Sequence, residues 1–441
     1  MTTALSPIAA FALFVAVFLG SCIFLRVNVA FGVGLGCIMV LIFGKYANTF
    51  FLQSAFSSMD SFPFLAVPTF ILAGVLMEHS GISEKLVNWC QALAGRVRGS
   101  IGAVATLACM AFGLLCGSAT ATLSAIGKMM ITEMNRHGYK KDYAAALVAS
   151  TCFLGILIPP STPGIVYALA ANISITDIWM STIVPAILIG FGTIFINWFV
   201  QGRTEEKLPR QEHAFAAYTT NLGKQTLKSI PSLIMPVIVF GGIYGGIFTP
   251  TEAGAVCCVY GIIFFLYQFF KNRGQGKNLK DIFVEAATGT ASIGILIGLS
   301  LCAGRIITMC GVSTVLTNWM LAHVSSKCTF LLLYNVVLVI FGMFMNQNAT
   351  ILILTPLLLP TAQAYGLTPL DFGAIMMVAN CYGGLTPPFA TYNFIASGLS
   401  GESFASVTKK TLPFLAWGYA VIFLMCVWPQ LYSWLPNLIN G

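Results

Sequence analysis

Charge is what this sequence has least of. Only 8% of its 441 residues are Asp, Glu, Lys or Arg, against 57% hydrophobic. Soluble domains carry roughly 25% charged residues, so this chain cannot clothe a water-facing surface and reads as an all-α polytopic membrane protein. No Lys or Arg stands ahead of the first apolar run. A cleavable leader has a positive amino-terminal region, so 8–24 is expected to remain as a first span. The 13 cysteines include no Cys-x-x-Cys pair, which argues against a disulfide framework or a zinc site and leaves small packing residues. His79, His137, His213 and His323 lie far apart, and neither a Ser-His-Asp set nor a carboxylate dyad is visible, so no catalytic role is assigned. A net charge of +8 without a basic-aromatic run excludes nucleic acid as the natural partner. No strand pattern precedes the glycines 241, 242, 245 and 246, so they are expected to allow close helix contact and not to bind phosphate.

What is there is a set of polar breaks inside apolar sequence. Cys116-Gly-Ser-Ala-Thr-Ala-Thr122 is followed by Ile156-Leu-Ile-Pro-Pro-Ser-Thr-Pro-Gly164. Later, Met345-Asn-Gln-Asn-Ala-Thr-Ile351 is followed by Gly383-Gly-Leu-Thr-Pro-Pro-Phe-Ala-Thr391. Non-helical backbone at membrane depth survives only where protein buries it or where it lines a cavity. Around the breaks, spans are expected near 7–25, 28–44, 62–79 and 178–200, each near the ~20 residues a bilayer core requires. The amphipathic stretch 82–98 reads as an interfacial helix, 100–136 as a helical hairpin, and 142–173 as a span broken at Pro159 and Pro160.

The pattern then repeats. Gly81 to Trp89 aligns with Gly311 to Trp319 at an offset of 311 − 81 = 230, which also places Ala119 and Thr120 on Ala349 and Thr350. At an offset of 229, Asp142, Cys152, Gly155, Pro159 and Thr162 fall on Asp371, Cys381, Gly384, Pro388 and Thr391. The division expected is a first repeat at 1–200 with scaffold spans within 1–60, a polar cytoplasmic connector at 201–228, and a second repeat at 229–441. The second repeat would hold an interfacial helix at 312–327, a hairpin at about 329–362 and a broken span at 371–398. With five spans and one hairpin per half, the halves are inverted. If residue 1 lies outside, only Lys45, Arg305 and Lys327 fall away from the cytoplasm, leaving 22 − 3 = 19 basic residues there, as the positive-inside rule asks. Inverted repeats with broken helices are a plan of secondary transporters.

At a broken helix, free carbonyls and the negative helix end can coordinate a cation. Ser118, Thr120, Thr122, Ser161 and Thr162 add neutral oxygens in the first half; Asn346, Gln347, Asn348, Thr350, Thr386 and Thr391 do so in the second. Oxygens without a carboxylate suit Na⁺ and not a transition metal. Such residues also satisfy the backbone of a kink, but paired breaks in both halves favour ion coordination. A charge inside a span is a functional candidate, yet Arg305 lies near a span end, where a structural role is expected. Glu252, in Thr249-Pro-Thr-Glu252, reads as a helix cap, and Glu78 with His79 as an interfacial anchor.

The Gly117-Ser-Ala-Thr-Ala-Thr122 tip, the Ile158-Pro-Pro-Ser-Thr-Pro163 break, Gly241 to Ala255 and Asn380 to Phe389 resemble the large membrane subunit of tripartite ATP-independent periplasmic (TRAP) transporters. The likeness runs over essentially the whole chain. It implies sodium-coupled uptake of an organic acid, such as sialic acid or a C4-dicarboxylate, across the bacterial inner membrane by an elevator motion. It also implies a small four-span membrane subunit, expected as a separate polypeptide because no room for it precedes residue 7, and a soluble periplasmic substrate-binding protein. Carried onto this sequence, one sodium site would form where Ser118 and Thr120 approach Pro159, Ser161 and Thr162, and a second where Asn348 and Thr350 approach Gly384, Thr386 and Thr391. The substrate would meet Ser118, Asn346 and Thr386, and no organic cofactor is implied. An anion or Na⁺/H⁺ exchanger working without a binding protein is the rival; it should carry a titratable carboxylate at the breaks, and the sequence places none there.

Overall fold

A computed structural model describes residues 5–45, 49–94, 100–201, 215–271 and 277–440. They are helical, with no strand among the described residues. Eight helices are long and apolar enough to cross a membrane, or nine if the bent pair Lys141–Leu157 and Thr162–Ala171 counts as one span. Helices are the expected answer in lipid, because a helix satisfies its own backbone.

Two groups of helices can be separated. The peripheral group contains Pro7–Phe24, Val29–Gly44, Thr49–Met59, Phe62–His79, Leu222–Tyr244, Pro250–Lys271 and Leu279–Met309. Its first members pack through an apolar cluster, with Phe14, Val33 and Cys37 beside Ile306 and Ile307 of Leu279–Met309, which Leu357 of the second hairpin also joins. The second group carries the breaks. Ser100–Cys116 and the helix restarting at Ala119 form the first hairpin, and Lys327–Phe344 with Gln347–Ala364 forms the second. The pair bent by 51° is the first broken span; Pro369–Gly383 and Thr391–Ser400 make the second. Cis peptide bonds at Pro159–Pro160 and Pro387–Pro388 lie within the two bends. Phe153 of the first broken span meets Tyr382 and Tyr392 of the second, with ring centroids 5.0 and 5.9 Å apart.

Glycine sets how closely hairpin and broken span approach. A Cβ at Gly113 would lie 2.6 Å from Gly155 Cα, and one at Gly383 would lie 2.6 Å from Gly342 Cα. Glycine also lets the hairpins meet the peripheral group. A Cβ at Gly74 would lie 3.0 Å from the Cys116 carbonyl oxygen, and one at Gly304 would lie 2.6 Å from Pro356 Cβ.

Several details differ from the expectations. Thr49–Met59 is a separate short helix that the apolar pattern did not mark, and Ile82–Ala94 accounts for most of the predicted interfacial helix, 95–98 lying outside the described residues. That helix is held by its neighbour through Trp89 Nε1 donating to Thr226 Oγ1 at 3.2 Å and Ser229 Oγ donating to the Lys85 carbonyl at 3.2 Å. In the stretch 201–228, residues 202–214 lie outside the described residues, and from Phe215 onward the chain is already helical, continuing to Tyr244. The glycines at 241–246 make no close helix contact among the described residues where one was expected: a Cβ at Gly241 or Gly246 would meet none of them within 4 Å, and the nearest atoms to one at Gly242 belong to Phe248. Gly246, at φ +70°, instead terminates one helix before Pro250 begins the next.

Candidate functional site

The four breaks are built by helix restarts. Ser118 caps the restarting arm of the first hairpin, accepting from Ala121 N at 3.3 Å, and Gly117 supplies the left-handed turn before it at φ +61°. Asn346 caps the second, accepting from Asn348 N at 2.9 Å and Ala349 N at 3.3 Å. Ser161 caps Thr162–Ala171, accepting from Gly164 N at 3.1 Å. The fourth restart has no side-chain cap; there Ala390 is left-handed at φ +36° directly before Thr391, a strained conformation for a residue with a Cβ.

The two hairpin tips face one cavity of about 640 Å³. Ser118, Thr120, Thr162, Asn346, Asn348, Gly384 and Thr391 line it. Ser118 Oγ and Thr120 Oγ1 lie 3.2 Å apart. The other predicted residues, Pro159, Ser161, Thr350 and Thr386, are not among its lining residues. Ser161 is buried, and its carbonyl accepts from Trp179 Nε1 at 3.0 Å. Thr350, fully buried, donates to the Asn346 carbonyl at 3.3 Å. Thr386 donates to the Tyr382 carbonyl at 2.6 Å and shares a second 2.6 Å contact with the Tyr419 hydroxyl.

Sequence reasoning missed three polar residues of this wall. Asn380 lines the cavity beside the second tip, its Nδ2 donating to the Gln347 carbonyl at 3.0 Å. The Oδ1 atoms of Asn380 and Asn348 are buried without a hydrogen-bond partner among the described residues. Glu78 and Glu285, from the peripheral spans Phe62–His79 and Leu279–Met309, also line the cavity. The break sequences themselves carry no carboxylate, but both acids reach the same cavity from elsewhere in the chain, so Glu78, which the sequence marks as an interfacial anchor at a span end, also lines it. Glu285 accepts from Lys277 Nζ at 2.9 Å and lies 3.0 Å from His79 Nε2. That hydrogen bond holds the Lys277 ammonium above its usual range.

Arg305 and Glu252 have structural partners. Arg305 donates to Ser57 Oγ at 2.6 Å and to the Ser54 hydroxyl and carbonyl at 3.2 and 3.3 Å, tying Thr49–Met59 to the long span. Glu252 accepts from Thr249 N and Oγ1 at 2.8 Å, closing a capping box at Pro250–Lys271. No group of three or more His, Cys, Asp or Glu able to hold a metal occurs among the described residues.

A helical membrane chain whose hairpin tips converge on a polar cavity belongs to the class of membrane transporters. Residues 11–431 match the family model described as the tripartite ATP-independent periplasmic transporter, DctM component, and the chain belongs to that family. It is a large permease, not an enzyme. It is 35% identical over 406 residues to the isethionate TRAP transporter permease protein of Oleidesulfovibrio alaskensis, covering 92% of this chain and 63% of that relative's length. It is 31% identical over 435 residues to the C4-dicarboxylate TRAP transporter large permease protein of Vibrio cholerae, covering 94% of this chain and 95% of the relative. Its fold resembles the YdaH transporter of Alcanivorax borkumensis, with a TM-score of 0.65 at 14% identity over 87% of this chain and 89% of the other.

Proposed function

We propose that this permease couples inward Na⁺ movement to the uptake of a small organic acid across the bacterial inner membrane. The observation that carries this reading is the cavity between two opposed helix restarts, whose tips line it with neutral oxygens, with Glu78 and Glu285 on the peripheral wall and no Lys or Arg lining it among the described residues. Helix amino-termini can hold a carboxylate through N–H groups and the helix dipole. The carbonyls and hydroxyls of Ser118, Thr120 and Thr162, and of Asn348, Gly384 and Thr391, can take up a monovalent ion. The orphaned amide oxygens of Asn348 and Asn380 also suit a hard cation.

The break-bearing helices would move as a unit against the peripheral spans, an elevator motion of one inverted-repeat bundle past a scaffold. Sodium would order the tips and so create the carboxylate site, giving positive coupling between the two ligands. A separate small four-span membrane subunit would complete the membrane part, and a soluble periplasmic binding protein would deliver the substrate. Reconstitution with both partners tests the whole: uptake should require inward Na⁺. Uptake unchanged when choline replaces Na⁺ would sink the coupling.

A further inference from the structure

The carboxylate reading leaves the stationary wall of the cavity unexplained. On Phe62–His79, Ile71, Val75 and Glu78 line the cavity at the i, i+4, i+7 spacing of one helical face. Gly74 on the same helix lies against Cys116 at the first tip, a Cβ there reaching within 3.0 Å of its carbonyl oxygen. Glu78, one turn further along, therefore stands beside the polar tips. Glu285 shares its charge with Lys277 and His79. Glu78 makes no hydrogen bond or ion pair among the described residues, although His79 and Lys277 lie near enough to act on its charge.

The opposite wall adds to the same imbalance. Asn348 and Asn380 are 8% and 3% exposed, and both leave a carbonyl oxygen unpaired. The hydroxyls lining the cavity can donate as well as accept, but Glu78 and these two amide oxygens only accept, and no Lys or Arg lines it among the described residues. A buried acceptor is costly to leave unmatched, so the missing partners are the ion's and the ligand's to supply.

We infer that Glu78 is a specificity-determining residue that selects monocarboxylates bearing hydroxyl or ammonium donors remote from the carboxylate, and rejects dicarboxylates. This narrows the organic-acid reading proposed above and rests on it. The ligand's carboxylate takes N–H groups at the second tip, beside the Na⁺ that the Asn348 and Asn380 amide oxygens would hold, and its remote donors meet Glu78 on the wall beside the first tip. A second carboxylate in that place would face Glu78 with like charge in a site partly shielded from water.

Ligand-dependent thermal stabilisation of the purified permease in NaCl tests this, with gluconate, N-acetylneuraminate, β-alanine, succinate and malonate as probes. Wild type should be stabilised by one or more of the first three and not by succinate or malonate. Glu78→Gln should weaken the monocarboxylates about tenfold or more, the size of a lost charge-assisted hydrogen bond, and should admit succinate. Glu78→Asp should keep the wild-type order. If Glu78→Gln fails to fold, the wild-type order and Glu78→Asp decide. Dicarboxylates stabilising wild type as well as monocarboxylates do, or an unchanged preference in Glu78→Gln, would overturn the role of Glu78 and leave the organic-acid reading standing. No response to any carboxylate in Na⁺ would overturn the organic-acid reading, and Glu78's role with it.

Discussion

Thr120 and Thr350 align at the 230-residue offset, yet their surroundings differ. Thr120 is open to the cavity with Ser118 3.2 Å away, whereas Thr350 is fully buried and bonds the Asn346 carbonyl. Thr120→Val is therefore expected to raise the Na⁺ concentration for half-maximal uptake about tenfold, for a lost ligand worth about 1.4 kcal/mol, without changing the melting temperature. Thr350→Val should weaken Na⁺ dependence and also remove about 1 kcal/mol of stability, because its hydroxyl has a buried partner. Sodium titration of uptake and thermal melts separate the two outcomes, and unchanged sodium affinity in both would move the ligands elsewhere. At this scale the sequence was legible where local chemistry rules. Ser118, Ser161 and Asn346 are residue types that cap helices, and they do so here. Glu78 was not legible, because a carboxylate beside His79 at a span end has the local signature of an anchor. Its neighbours in space, Ser118 and Asn346, lie 40 and more residues away along the chain.

The elements are placed by glycine as much as by apolar surface. Gly113 against Gly155, and Gly342 against Gly383, bring backbone onto backbone, where no flexible side chain can give way. Gly155→Ala and Gly383→Ala should each cost about 1–3 kcal/mol through overpacking, seen as lower melting temperatures of the detergent-purified protein. Gly398→Ala, with nothing within 4 Å of the new Cβ, serves as the control and should not be destabilising. Equal melting temperatures for all three would mean that these crossings are looser than drawn. The prolines announced the two bends from sequence, since proline removes a backbone donor and clashes with the preceding turn. Thr49–Met59 was not announced, because 11 residues of mixed polarity show neither a span's length nor a clear stripe. Its position depends on Arg305, which the sequence could only mark as an isolated charge.

For the molecule as a whole, the peripheral spans meet the break-bearing bundle at two close glycine crossings, Gly74 on Cys116 and Gly304 on Pro356, beside larger apolar contacts such as Leu357 with Ile306 and Ile307. Gly74 sits opposite Cys116 across that boundary, a Cβ there lying 3.3 Å from Cys116 Cα. In Gly74→Cys, oxidation should join the new thiol to native Cys116 and stop uptake, and reductant should restore it. Full uptake by the oxidised, cross-linked protein would rule out relative movement of the two groups. Such a lock tests the elevator reading separately from the proposed sodium coupling.

The sequence by itself determined the membrane class, the helical fold and the positions of the breaks, because all three follow from composition and from residues near one another along the chain. Scarce charge dictates lipid, lipid dictates helices, and capping residues with proline dictate where helices stop and restart. Only the tertiary structure decided which oxygens share a cavity. It set Thr120 apart from Thr350, left the amide oxygens of Asn348 and Asn380 without a hydrogen-bond partner among the described residues, and brought Glu78 and Glu285 from distant spans to the same cavity. Those juxtapositions arise from packing between segments far apart in the chain, and local sequence carries no record of them.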